Sequence, residues 1–98
     1  MPYVVKVKRA RLEGISGILH ETEIAEYNGK EYVLVNLSEN NNNDIVFKYL
    51  AKLVLCIDLN MPPLVIVNPE TSIPKRLEYI TNKYGGIVLE ANSVILKS

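Results

Sequence analysis

The sequence predicts a single domain of the α+β class, with mixed α/β character, in which helices pack on a mixed sheet. Its 98 residues are enough for one hydrophobic core and one domain, residues 1–98. An Asn28-Gly29 pair between two extendable runs indicates a hairpin, and the segment 64–89 has the order strand, helix, strand. The predicted order is therefore β-β-β-α-β-α-β, an amino-terminal antiparallel meander followed by a carboxyl-terminal βαβ unit.

The meander begins with a strand over residues 3–12, where apolar and basic side chains alternate. Residues 18–26 and 31–37 form the next two strands if Asn28-Gly29 is a two-residue turn, because both residues tolerate the positive φ angles that such a turn needs. A helix over residues 13–26 is the alternative, since asparagine and glycine also close helices. The hairpin register pairs Ile24 with Val33 and Thr22 with Val35.

The first helix is predicted to begin at a cap, Asn43 or Asp44, and to run to about Asn60, before two prolines. Apolar residues cover most of its circumference, and only Lys48 and Lys52 form a polar stripe. A helix of this kind is either buried nearly all round or lies at an oligomer interface.

The carboxyl-terminal unit contains two short continuous apolar runs, residues 64–67 and 87–89, as expected of strands that are covered on both faces. Between them Thr71 or Ser72 caps a second helix, which Gly85-Gly86 ends. A connection of this kind implies a parallel strand pair with a right-handed crossover. Residues 94–96 are predicted to pair back as a final strand.

Composition places the protein in a reducing compartment and away from membranes. Cys56 is the only cysteine and lies in an apolar run, where a free thiol behaves as a small core residue. The amino-terminal segment does not have the pattern of a signal peptide, and no apolar stretch reaches the ~18 residues that a membrane span requires. We therefore expect a cytoplasmic protein without a membrane partner. The composition, rich in lysine, glutamate and isoleucine and without glutamine, is similar to that of small proteins of hyperthermophilic archaea and their viruses.

Charge is balanced overall but separated along the chain. The formal net charge is zero, which argues against a non-specific nucleic-acid coat protein. Residues 1–11 nevertheless hold only basic charges, and residues 12–44 hold mostly acids, so that neutralisation between paired strands is the simplest explanation. Nucleic-acid binding is the alternative, in which the basic strand and the start of the second helix contact phosphates. Its candidate residues are Lys6, Lys8, Arg9, Arg11, Thr71, Ser72, Lys75 and Arg76.

The single histidine is the starting point for a metal hypothesis. If residues 18–26 are helical, His20 and Glu23 share a face and supply two ligands, whereas a catalytic zinc needs three from the protein. If they are a strand, His20 and Glu21 point to opposite faces. A small metal-dependent nuclease that uses these three residues is the enzyme alternative. No serine lies in a nucleophile elbow and no glycine-rich phosphate loop is present, so we predict no catalytic residue, metal site or cofactor.

The leading interpretation is a small non-enzymatic binding or assembly module, either homodimeric or a subunit of a larger complex. The first helix has more apolar circumference than a 98-residue domain can easily cover, and a two-fold interface would supply the missing burial. The partner is then a second copy of the chain or another protein, and Phe47, Leu50 and Val54 are the candidate interface residues.

Overall fold

Six strands and two α-helices make up the described part of the chain, which in this computed structural model is residues 2–38, 42–70 and 74–98. The elements are β1 (Tyr3–Glu13), β2 (Leu19–Tyr27), β3 (Lys30–Asn36), α1 (Asn42–Leu59), β4 (Pro63–Val67), α2 (Lys75–Lys83), β5 (Ile87–Glu90) and β6 (Val94–Lys97). The strands form one mixed sheet in the order β5-β4-β3-β2-β1-β6. The predicted α+β class, with its antiparallel meander followed by a βαβ unit, is confirmed.

The hairpin between β2 and β3 forms as predicted. Asn28 and Gly29 both have positive φ angles, 52° and 76°, as a type I′ turn requires. Ile24 pairs with Val33 at the far end of the ladder, which begins at Tyr27 and Lys30. The helical alternative for residues 13–26 is therefore wrong, and the predicted Thr22–Val35 pair lies beyond the ladder.

Each helix is followed by a residue in the left-handed conformation, which lets the next N–H donate a hydrogen bond to a carbonyl of the last turn. In α1 Asn60 has a φ of 54°, and the Met61 N–H donates to the Cys56 carbonyl at 3.0 Å. In α2 Gly85 has a φ of 78°, and the Gly86 N–H donates to the Thr81 carbonyl at 2.9 Å. These 6→1 bonds define Schellman motifs, which stop each helix before the strand that follows it.

The two helices cover the same face of the sheet. Side chains of α1 and α2 pack on alternate residues of β3 and β4, including Val35 and Val65. The carboxyl-terminal half of α1 continues this layer over Ile24 and Val33. The opposite face has its own core, built from strand residues of the sheet itself: Val5, Ala25, Tyr32, Leu34, Leu64 and Ile66.

The second core is buried because the sheet curls around it. β5 and β6 lie at opposite edges of the sheet, which in a flat sheet would be about 24 Å apart, at 4.7–4.9 Å per strand. Only the three-residue turn Ala91–Ser93 joins them, and a chain segment of that length reaches at most ~14 Å. The sheet must therefore bend into a partly closed barrel. β6 consequently pairs in parallel with β1, through Tyr3–Val94 to Lys6–Lys97, and does not pair back onto β5.

Candidate functional site

α1 buries one apolar face and leaves a second one in solvent. Its inward residues are Ile45, Tyr49, Leu53 and Cys56, which are all buried. The outward apolar residues, called here the α1 seam, are Phe47, Leu50, Val54 and Ile57, with exposed fractions of 77%, 43%, 67% and 50%. The three predicted interface residues are therefore all solvent-exposed, and Ile57 extends the same stripe by one turn.

The spacing of the α1 seam is that of a helix-pairing surface. Its members follow one another at intervals of three, four and three residues, as the a and d positions of a heptad do. The seam is ~15 Å long at 1.5 Å per residue, and it presents roughly 400 Å² of apolar surface. Ala51, exposed beside it, is small enough to let another helix approach. A patch of this size is comparable to the largest apolar patch of a typical monomer, which is often functional.

A hollow lies at the carboxyl-terminal end of the seam. Its volume is about 250 Å³, and it opens between the end of α1, the β2–β3 turn and the end of α2. Ile57 of the seam forms one wall, and the remaining lining residues are Lys30, Cys56, Asn60, Met61, Pro62 and Tyr84. Burial raises the pKa of the Cys56 thiol to about 11, so this cysteine is a core residue and a poor nucleophile.

A polar clamp fixes the β1–β2 loop to the last turn of α1. Asp58 accepts hydrogen bonds from His20 Nε2 at 2.6 Å, from the Ser16 hydroxyl at 2.7 Å and from the Ser16 N–H at 2.8 Å. The Ile15 N–H also donates to the Asp58 carbonyl at 2.8 Å. The donors to the carboxylate, His20 first and then Ser16, hold the pKa of the Asp58 carboxyl down at about 2.

The clamp joins a serine, a histidine and an aspartate, but its geometry is not that of a catalytic triad. Ser16 and His20 both bind the same Asp58 oxygen, so the hydroxyl donates to a carboxylate and not to an imidazole. A nucleophilic serine needs the imidazole as its base. The arrangement therefore acts by holding the loop in place. Sequence reasoning missed it because Asp58 lies 42 and 38 residues from its partners, with no local signal.

The basic side chains of β1 stand opposite acidic ones. Lys6 pairs with Glu26, Arg9 with Glu23 and Arg11 with Glu21 across the β1–β2 ladder. Lys8 forms a salt bridge of 2.9 Å with Glu31 of β3, and this hydrogen bond raises the pKa of the lysine. The basic residues of β1 thus lie opposite acidic residues in the sheet, and Lys8 forms an ion pair with one of them.

The other half of the predicted phosphate site lies elsewhere. Lys75 and Arg76 are exposed in the first turn of α2, which begins after Pro74. α2 packs beside β5, four strands from β1 in the sheet order. Thr71 and Ser72, the predicted hydroxyl partners, lie outside the described residues. The two basic groups thus lie on different elements, β1 and the first turn of α2.

The residues of the metal hypothesis are also separated. Because residues 19–27 form a strand, His20 faces the opposite side from Glu21 and Glu23, and it binds Asp58. Glu21 and Glu23 face Arg11 and Arg9. Among the described residues, no three histidine, cysteine or carboxylate side chains are grouped to hold a metal ion. Within the same residues, no helix has the length and apolar character needed to cross a membrane.

Comparison with known proteins adds no assignment. No protein-family model, no curated protein and no solved structure matches this chain.

Proposed function

We propose that this protein is a non-enzymatic assembly module that forms a homodimer through the α1 seam. The exposure of four large apolar residues at heptad spacing on one helix is the observation that carries the proposal. Burial of apolar surface drives association, and exposed aliphatic and aromatic side chains of this kind are typical of the core of an interface.

The total surface of the chain also supports association. Its solvent-accessible surface is 6372 Å² at a mass of 11.0 kDa, whereas a typical monomer of this mass exposes about 5,600 Å². The excess is close to the ~800 Å² that one partner contributes to a standard interface. The radius of gyration, 12.8 Å, matches the ~12.6 Å of a compact chain of this length. The principal-axis extents are 38 × 27 × 22 Å, so the molecule is longer in one direction than in the other two.

The Val54→Lys variant tests the proposal. Val54 lies at the centre of the seam and is largely exposed in the single chain, so the substitution should change the free energy of unfolding of the monomer by no more than ~0.5 kcal/mol. In a dimer it would bury two unpaired ammonium groups. We expect the dissociation constant to rise at least ~30-fold, about 2 kcal/mol, as measured by light scattering after size-exclusion chromatography.

Val4→Lys is the matched control. Val4 is exposed on β1 beside Ile95 of the edge strand β6, a second and smaller apolar surface. This variant should keep the dimer of the unmodified chain. If Val4→Lys dissociates the dimer and Val54→Lys does not, the interface lies at the sheet edge and the α1 proposal is wrong.

Nucleic-acid binding has weaker support. Lys8 is paired with Glu31, and the other three β1 cations lie opposite glutamates of β2, which lowers the positive potential that would attract a phosphate backbone. The enzyme alternative has no grouped residues to support it in the described part of the chain.

A further inference from the structure

We propose that the two copies pack their α1 helices antiparallel about a two-fold axis, with Phe47 of each copy filling the hollow beside Ile57 of the other. This inference rests on the proposed dimer and adds its register, its direction and its anchoring residue. The occupant of the hollow is thus a side chain of a second copy of this chain.

The spacing of the seam is the first argument. Intervals of three, four and three residues read the same in both directions about the midpoint between Leu50 and Val54. A two-fold axis through that midpoint, perpendicular to α1, sets Leu50 against Val54 of the other copy and Phe47 against Ile57. These are a–d layers, with a larger residue beside a smaller one in each.

The fit of Phe47 to the hollow is the second argument. Phe47 is the only phenylalanine of the chain and the most exposed member of the seam. Helical side chains lean toward the amino-terminal end of their helix, which in an antiparallel pair is the carboxyl-terminal end of the partner helix. Asn60, Met61 and Pro62 line the hollow at that end. An apolar cavity of about 150 Å³ can hold benzene, so the hollow of about 250 Å³ accommodates one phenyl ring.

A parallel pair of α1 helices would leave the hollows unexplained. It would set Phe47 against Phe47 of the other copy and leave both hollows without an aromatic anchor. It would also place two helix dipoles side by side in the same direction, whereas antiparallel helices bring opposite ends together. The antiparallel pair uses every seam residue and both hollows, and it brings the surface removed from water closer to that of a standard interface.

Oxidative cross-linking of cysteine variants tests the register. Phe47→Cys and Ile57→Cys are prepared separately, one with a mass tag, and mixed at a concentration at which sedimentation shows each to be dimeric. We expect the mixed disulfide to form about tenfold or more faster than the disulfide of either variant with itself, because only the mixed pair places the two Cβ atoms within bonding range. Tyr79→Cys, exposed on α2 outside the seam, measures the collision rate.

The outcomes of the cross-linking experiment test the direction of the helices, the position of the interface and the existence of the dimer separately. Rapid self-linking of Phe47→Cys would mean a parallel pair, which overturns the register and leaves the dimer in place. Equal rates for all pairs, in variants that remain dimeric, would move the interface away from the seam. If the Phe47→Cys substitution itself dissociates the dimer, Leu50→Cys mixed with Val54→Cys makes the same test at the centre of the seam. A chain that is monomeric without any substitution overturns both the dimer and its register.

Discussion

At the scale of single residues, the two buried threonines differ in whether their hydroxyl groups have hydrogen-bond partners. Thr81 of α2 is buried, and its hydroxyl donates to the Leu77 carbonyl at 2.8 Å. That leaves the Thr81 oxygen to accept from the Tyr49 hydroxyl at 2.6 Å, a bond that ties α2 to α1. Burial raises the pKa of Tyr49, so the phenol stays neutral and remains a donor.

Thr22 of β2 is the contrasting case. It is buried, and its hydroxyl oxygen has no hydrogen-bond partner among the described residues. A buried, unsatisfied hydroxyl costs about 1–3 kcal/mol relative to its solvated state. The sequence alone did not distinguish the two threonines, because satisfaction depends on which side chain faces each one after folding.

The two Thr→Val substitutions should therefore act in opposite directions. Thr81→Val should lower the free energy of unfolding by about 1–2 kcal/mol, because the Tyr49 hydroxyl keeps only the weaker contact of 3.3 Å with the Leu77 carbonyl. Thr22→Val should leave it unchanged or raise it by up to ~1 kcal/mol, because it removes an unpaired group at nearly constant volume. Urea unfolding of both variants measures the difference, and a loss of equal size in both would contradict this account.

At the scale of elements, the clamp joins the β1–β2 loop to α1 through one carboxylate. Gly14 lies beside it, and a Cβ at that position would collide with the Asp58 carboxylate, so a larger residue would displace the acceptor of the clamp. The loop thus holds Ile15, with an exposed fraction of 82%, in a defined place in solvent. None of these contacts is predictable from the sequence, because loop residues meet the helix only after the hairpin has packed on it.

The clamp should make stability depend on pH in the acid range. The pKa of Asp58 is about 2 in the folded chain and near 3.9 in an unfolded one. A lowered folded pKa stabilises the fold fully above about pH 5, and the contribution is lost as the pH falls through the folded value. We expect Asp58→Asn to reduce the dependence of the urea midpoint on pH between about 5 and 2.

Ser16→Ala should weaken the same pH dependence without abolishing it. It removes the hydroxyl donor, the second cause of the low pKa, and keeps the carboxylate and His20. Its pH dependence should lie between those of the unmodified chain and of Asp58→Asn. Identical curves for the unmodified chain and Asp58→Asn would show that the clamp does not couple folding to proton binding.

Local signals predicted the elements well where backbone chemistry decides the outcome. Asn28-Gly29 and Gly85-Gly86 mark a hairpin turn and a helix end because both sites need positive φ angles. The apolar runs of β4 and β5 likewise indicate strands covered on both faces, and β4 is buried along its whole length, whereas β5, at the edge of the sheet, is only half-buried. The pattern of the region before Asn28 fits both a helix and a strand, because its apolar run is short, and pairing with β1 decides for the strand.

At the scale of the whole molecule, the curl of the sheet was not predictable from the sequence. It follows from five strand registers together with the short turn between β5 and β6. The curl lets the sheet bury one face within itself, so the two helices are needed on the other face only. The sheet can then cover only one side of α1. The other side stays in solvent, which is why a helix that is apolar nearly all round keeps an exposed seam.

The candidate site was therefore predictable in part. Excess apolar circumference on the first helix predicts Phe47, Leu50 and Val54 as interface residues, because a small domain has too few elements to surround a helix, and the structure leaves all three exposed in the single chain. The hollow was not predictable, since it forms where three elements that are distant in sequence end together.

Self-association is the central claim, and sedimentation equilibrium of the unmodified chain over a concentration series tests it most directly. We expect a reversible monomer–dimer equilibrium whose limiting mass is twice 11.0 kDa, with more than half of the chain dimeric at about 10 µM. A mass that stays at 11.0 kDa up to several hundred micromolar would contradict the account.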